Sequence, residues 1–374
     1  MREAVEQLLD LAGIEAGGSK PWDITIHNPE FYRQTWMRRN LGMGEAYMDG
    51  WWDCPQLDAF FFRLLRARVE ERLKLSPKIM ARTVLQRLIN FQSLRRAKEV
   101  AVRHYNLGND LYQAMLDPSL NYSCGYWKGA RTLAEAQWNK MELVCAKLML
   151  KPGMRLLDIG CGWGALAIHA ARHYGAEVVG VTLSEPQRQF AEEAGRGLPV
   201  SFRLQDYRKL SGQPFDRVVS IGMFEHVGRK NHGTFLDVVR RQLKEAGLFL
   251  LHTIGGEGAQ GGCDPWINKY IFPNGELPSL AQVSAALRGR FVMEDWHNFG
   301  ADYDKTLMAW HANFSEHWAT LRQRFDQRFF RMWSYYLLSC AGAFRARDIQ
   351  LWQIVLSRKG LEGGFRVRDL PEAG

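Results

Sequence analysis

From about residue 150 onward the chain alternates short apolar runs with longer amphipathic ones. MRLLDIG, AEVVGVT, VSFRLQD, FDRVVSIG and GLFLLHT are rich in Val, Leu and Ile. Most are separated by stretches of helical periodicity, such as GALAIHAARHYG and HGTFLDVVRRQLKEAG. Strands that are apolar on both faces and divided by helices predict an α/β fold, with a mostly parallel sheet covered on both sides. WQIVLSRKG (352–360) supplies a last strand.

The earlier part of the chain reads differently. Val5, Leu8, Leu9 and Ala12 fall at helical spacing, and WDITIH (22–27) suits a short strand. LDAFFFRLLRARV (57–69) and IMARTVLQRLINF (79–91) read as amphipathic helices that interleave apolar residues with Arg, with Ser76-Pro77 between them. The expected organisation is therefore a small, mainly helical N-terminal domain over residues 1–95 and a larger α/β domain over residues 96–374.

Composition adds the class of protein. Hydrophobic residues make up 46% of the 374 and charged residues 24%, the balance of a globular chain. No uncharged apolar run approaches the roughly 18 residues of a membrane span. MREAVEQLLD carries Glu3 and Glu6 and lacks the apolar core of a signal peptide, so the chain reads as cytosolic. Cys54, Cys124, Cys145, Cys161, Cys263 and Cys340 form no CxxC pair, which argues against a zinc site and a disulfide framework. Charge is uneven. Between Arg63 and Arg103 stand twelve Lys or Arg against three Glu, a surplus equal to the net +9 of the whole chain. Such a segment is either a solvated helical face or a contact for an anionic partner, nucleic acid or membrane.

Candidate chemistry centres on LLDIGCGWG (156–164). Gly160, Gly162 and Gly164 follow a strand and precede a helix, where glycine allows a sharp turn and a close approach to a nucleoside. The spacing is neither the G-x-G-x-x-G of a dinucleotide fold nor a phosphate loop. A tight turn with no ligand is the bland alternative. With its preceding acid, Asp158, the loop resembles motif I of the class I S-adenosylmethionine (SAM) methyltransferases, a Rossmann-like fold. Asp206 stands after the third strand, where those enzymes often place an acid near the adenine amino group. The second strand departs from their pattern: it ends VTLSEPQ, with Thr182, Ser184 and Gln187, and its acid comes only at Glu185.

That departure narrows the family. HYNLGNDLY (104–112), NYSCGYW (121–127), MFEHVG (223–228), HTIG (252–255), DPWINKYIFPNGELPS (264–279) and FVMEDWHNFGADYDKTLMAW (291–310) surround the loop. Over essentially its full length the chain resembles the cyclopropane-fatty-acyl-phospholipid synthases, relatives of the mycolic acid cyclopropane synthases. The resemblance implies an enzyme that transfers a methylene group from SAM to the cis double bond of unsaturated phospholipid acyl chains. It implies a carbocation, which aromatic side chains can shelter, and a bound bicarbonate as base. Carried over residue by residue, the bicarbonate set is Cys124, Glu225, His252, Ile254 and Tyr303. The SAM set is Tyr105, Tyr122, Ser123, Gly160, Gly162, Gly164, Thr182, Ser184, Gln187 and Asp206, with His104 beside Tyr105 in a lid. The resemblance carries no metal, and it makes a homodimer and a place peripheral to the inner membrane the expectation.

Two other readings share the fold. A relative that adds a methyl branch without closing a ring would yield a product of the same added mass, separable by its protons. A nucleic-acid methyltransferase suits the basic segment, but no RNP motif and no N/D-P-P-[FY] signature is present, so no nucleic-acid partner is expected. The basic segment then has a use on anionic lipid, where each Lys or Arg near the surface contributes about 1 kcal/mol. Reversing the charge of Arg95, Arg96 and Lys98 is expected to lower binding to phosphatidylglycerol vesicles by about tenfold or more in a sedimentation assay; unchanged binding would remove this role.

Overall fold

The computed structural model describes residues 1–69, 107–256 and 264–365. The expected helix at 79–91, the charge cluster Arg95, Arg96 and Lys98, and the lid residues His104 and Tyr105 lie outside the described residues. The chain divides into two compact units: Met1–Ile89 with Gln260–Gly275 and Tyr303–Ile349, and Asn90–Ala259 with Glu276–Asp302 and Gln350–Gly374.

The first unit is mainly helical. Val5 and Leu9 are the buried positions of the helix Arg2–Asp10, as their spacing predicts. Of WDITIH, Thr25–Ile26 (β1) pairs antiparallel to Trp52–Asp53 (β2), and Ile24 makes an isolated parallel bridge to Ala16. The helix Leu57–Arg66 buries Leu57, Phe60 and Phe61 and ends in Arg63 and Arg66, so its apolar face belongs to the core. It packs on the helix Gln327–Ala346 at Gly342, where a Cβ would stand 2.7 Å from the Asp58 carbonyl. Arg345 joins these elements, with Nη1 2.6 Å from Asp58 and Nε 2.8 Å from Asp304. Tyr47, Trp52, Phe60, Phe61, Trp266 and Tyr335 form a chain of ring contacts through this core.

The second unit is built on a seven-stranded sheet. Its strands are β3 (Arg155–Ile159), β4 (Glu177–Thr182), β5 (Val200–Leu204), β6 (Phe215–Ile221), β7 (Leu243–Gly255), β8 (Val292–Asn298) and β9 (Gln350–Ser357), in the order β5-β4-β3-β6-β7-β9-β8. β3 to β7 pair in parallel, and β9 runs antiparallel between β7 and β8. The central strands are buried along nearly their whole length, as a sheet covered on both faces requires, whereas edge strand β5 is mostly exposed. One apolar cluster includes Val218, Phe249 and Ile354, and the other includes Val219, Leu250 and Val355. The five strands expected from Leu156 onward and the C-terminal one are all present. β8 was missed: VMEDWHN is half polar, because it forms the far edge and no residue of it is fully buried.

The order places β3 at the switch point, with β4 and β5 laid to one side and β6 and β7 to the other. In open sheets of this kind ligands bind beyond the carboxyl ends of the strands at that point. There the loop turns into the helix Ala165–Tyr174 at Gly164, whose φ is +86°. A Cβ there would stand 2.8 Å from the Phe202 ring and 2.9 Å from Ala191. Gly164→Ala is expected to cost about 2 kcal/mol or more, from left-handed backbone and overlap together, read as a lowered urea midpoint.

Candidate active site

The loop after β3 is held by the neighbouring strand, since the Gly160 and Cys161 N–H groups both donate to the Val181 carbonyl, at 2.9 and 3.1 Å. Gly160 has φ +87°, and a Cβ on it would stand 2.9 Å from Met223 of the loop after β6. Side chains are thus excluded where two loops meet. A Cβ on Gly162 would meet nothing within 4 Å, so that part of the loop faces open space.

A cleft opens along this edge. Tyr122, Ser123, Gly160, Gly162, Thr182, Ser184, Gln187 and Asp206, eight of the ten residues expected to hold SAM, line it. Of the other two, Gly164 is the helix N-cap behind the loop, and Tyr105 lies outside the described residues. Thr182 and Gln187 are joined at 2.9 Å, Ser184 N–H donates to Thr182 Oγ1 at 3.2 Å, and the Ser184 hydroxyl caps the helix Glu185–Ala194. The run Thr182, Ser184, Gln187 is therefore one polar cluster after β4, standing where an acid is usual. Asp206 is occupied by a neighbour: Arg208 donates to Oδ1 from Nε at 2.8 Å and to Oδ2 from Nη2 at 2.6 Å. Burial raises the Asp206 pKa, but the guanidinium outweighs it and holds the carboxyl below its ordinary value. The glycine turns, the polar cluster and the apolar wall of Val181, Ile221, Met223 and Val227 fit a nucleoside with a thioether-like centre.

A second group stands at the ends of β6 and β7. Glu225, on the turn after β6, is 6% exposed. Its Oε1 accepts the Ile254 N–H at 2.7 Å, and its Oε2 has no hydrogen-bond partner among the described residues. Burial pushes its carboxyl up to about 7, against the pull of the Ile254 and Glu225 N–H groups and of the Thr253 hydroxyl. His252, on β7, is 1% exposed. β9 sets Gln353 opposite it in register, and Gln353 Nε2 donates to His252 Nδ1 at 3.2 Å. The proton then sits on Nε2, which has no partner among the described residues. Burial first, then the Lys140 and Lys147 charges, hold His252 well below its ordinary pKa, so it is a neutral donor. Cys124 is fully buried, with Sγ 3.1 Å from the Gly125 carbonyl. Glu225 Oε2, His252 Nε2 and Gln353 Oε1 are buried here without partners among the described residues, which marks a place built for something not part of the chain; a small planar oxyanion with a hydroxyl suits such a mix of donor and acceptors. Tyr303 belongs to the first unit, where its ring stacks on Phe344 at 4.5 Å.

Lys140 was not anticipated. It lies on the helix Leu133–Lys147, is 1% exposed and lines the cleft. Its signal is positional: with Ala136 and Val144 it shares one face of that helix, and all three are buried, so a lysine occupies apolar spacing.

The sheet order, with one antiparallel strand inserted before the last edge, and the cleft at its switch point define a class I methyltransferase fold. Residues 92–354 match the family described as Mycolic acid cyclopropane synthetase, and the chain belongs to that family. The Cyclopropane-fatty-acyl-phospholipid synthase of Escherichia coli (strain K12) is 55% identical over 361 residues, 96% of this chain and 94% of that protein. A Probable fatty acid methyltransferase of Pseudomonas putida is 37% identical, covering 72% of this chain and 70% of its own. A solved mycolic acid cyclopropane synthase complexed with SAH and CTAB is 32% identical with a TM-score of 0.65, covering 69% of this chain and 97% of that one.

Because Glu225 has a folded pKa above its unfolded value, the stability it contributes is complete below pH 4.5 and lost as pH rises through about 7. Glu225→Gln keeps an acceptor for Ile254 and carries no charge. At pH 8 it is expected to be more stable than wild type by on the order of 3 kcal/mol, and at pH 4 nearly equal to it, in denaturant titrations at the two pH values.

Proposed function

We propose that the chain transfers a methylene group from SAM to the cis double bond of unsaturated phospholipid acyl chains, forming a cyclopropane. The reading is carried by Glu225 and His252, two buried groups with unused polar atoms in the family's own sequence contexts. The identity to the Escherichia coli synthase along 96% of the chain supports the same substrate class.

When bound, SAM supplies an electrophilic methyl on a sulfonium. The residues around the glycine loop orient it and keep water away. The alkene needs no base to attack. A C–C bond forms, the C–S bond breaks, and the other alkene carbon becomes a cation that a dry, aromatic site shelters. Loss of one proton from the new methyl group then closes the ring. Glu225, His252 and the backbone at Ile254, whose N–H is already given to Glu225 Oε1, would hold bicarbonate, which would supply the base for that proton. The His252 N–H would donate to the oxyanion and the Glu225 carboxylate would accept from its hydroxyl, which requires Glu225 ionised. Cys124, buried in the segment NYSCGYW, and Tyr303 belong to the same family set. The N-terminal 95 residues dock on anionic lipid, and two copies associate.

The methyl-branching alternative is favoured by the 37% identical relative from Pseudomonas putida; ring closure is favoured by the retained base set. Incubation with methyl-labelled SAM and mono-unsaturated phosphatidylglycerol vesicles is expected to place label in cyclopropyl protons upfield in the NMR spectrum. Withdrawing bicarbonate, or Glu225→Gln, is expected to cut the rate by about 10²–10⁴. In wild type kcat/KM is expected to rise as pH climbs through about 7, where Glu225 ionises. Label in an open-chain methyl product would move the chain to the branching enzymes.

A further inference from the structure

The helix Leu133–Lys147 carries two buried lysines with different surroundings. Lys147 Nζ lies 2.8 Å from the Asp295 carboxylate. Lys140 Nζ donates to Asn121 Oδ1 at 2.6 Å and to Ser123 Oγ at 3.1 Å. Both acceptors are neutral, and among the described residues no carboxylate comes within ion-pair distance of it. Asp117 is turned elsewhere, accepting from the Ser119 and Asn121 N–H groups at 3.0 and 2.9 Å. An ammonium has three donors, so one remains, and it belongs to a side chain that opens on the cleft next to Tyr122, Ser123 and the glycine loop. A buried cation without a counter-ion is strongly disfavoured. Burial accordingly draws the Lys140 pKa down to about 8, despite the opposing charges of Asp117, Cys124 and Asp158. Asp158 lines the same cleft, and burial pushes its carboxyl up to about 7.

We propose that Lys140 binds the α-carboxylate of the methionyl end of SAM, with the Ser123 hydroxyl beside it. The inference rests on the SAM reading above. Of the cofactor's charged groups, the sulfonium and the α-ammonium repel a lysine, and only the carboxylate supplies the missing anion. Asn121 and Ser123 fix where the ammonium stands, so the charge meets the cofactor in a set position. The segment carrying Tyr122 and Ser123 is thereby tied to the helix through the group that holds the ligand.

The test compares SAH with its decarboxylated analogue, in which hydrogen replaces the carboxylate, by calorimetric titration of wild type and Lys140→Met. Wild type is expected to prefer SAH by roughly tenfold or more, as a charge-assisted bond in a buried site gives. In Lys140→Met that preference falls toward one. Each ratio is internal to one protein, so general loosening cancels. An equal preference in both proteins would make Lys140 a structural tie only and overturn the proposal. Repeating the titrations with bicarbonate separates the other anion: if Lys140→Met altered bicarbonate dependence and left the ratio intact, the lysine would serve that ion instead. Should Lys140→Met fail to fold, wild type alone suffices. Its preference for SAH is expected to decline as pH rises above 8, a window that lies beyond the titration of Asp158 at about 7; Asp117, Cys124 and His252 are the other titratable groups that face the lysine. A flat profile to pH 10 would overturn the proposal. Failure of wild type to bind SAH at all would remove the cofactor reading itself.

Discussion

Desolvation is the constraint on which this site depends. Near the carboxyl ends of the strands four ionisable groups, Glu225, His252, Asp158 and Lys140, are almost wholly buried. Here burial acts on each of them and pushes each toward its neutral form. Glu225 and Asp158 are raised, while His252 and Lys140 are lowered. Each group is then sensitive to what arrives beside it, because in such surroundings a partner's charge is felt strongly. The cost is carried by the apolar sheet behind the site, where Val218, Val219, Phe249, Leu250, Ile354 and Val355 are all fully buried.

Topology turns that constraint into a site. Parallel strands deliver their carboxyl ends to one edge, so loops far apart in the chain meet there. Glu225 lies 29 residues from Ile254, yet the two share a hydrogen bond. His252 and Gln353 are 101 residues apart and touch because β9 pairs with β7 in one register. A slip of one residue in that antiparallel pair would turn Gln353 to the other face and leave His252 without the contact that sets its tautomer. The antiparallel strand therefore sets the surroundings of His252 as well as extending the sheet.

Much of this was legible beforehand. Buried parallel strands announce themselves as unbroken Val, Leu and Ile runs, and a glycine at every second position after such a strand has few uses. Thr182, Ser184 and Gln187 stood out as a departure and proved to be a hydrogen-bonded cluster. β8 was not legible, since an edge strand need not be apolar. Neither was the occupation of Asp206 by Arg208, nor the division of the chain, in which Gln260–Gly275 and Tyr303–Ile349 join the N-terminal residues in one unit.

The sequence by itself determined the elements, the loop and the family, because periodicity, turn chemistry and motif spacing are local properties that survive without coordinates. It named Glu225 and His252 as members of a set. Only the tertiary structure decided their state: which oxygen of Glu225 is spent on Ile254, which nitrogen of His252 faces Gln353, and that Lys140 stands buried on the cleft with neutral neighbours. Those facts are set by burial and by contacts between distant segments. A sequence carries residue types, and the charge a residue bears depends on what surrounds it after folding.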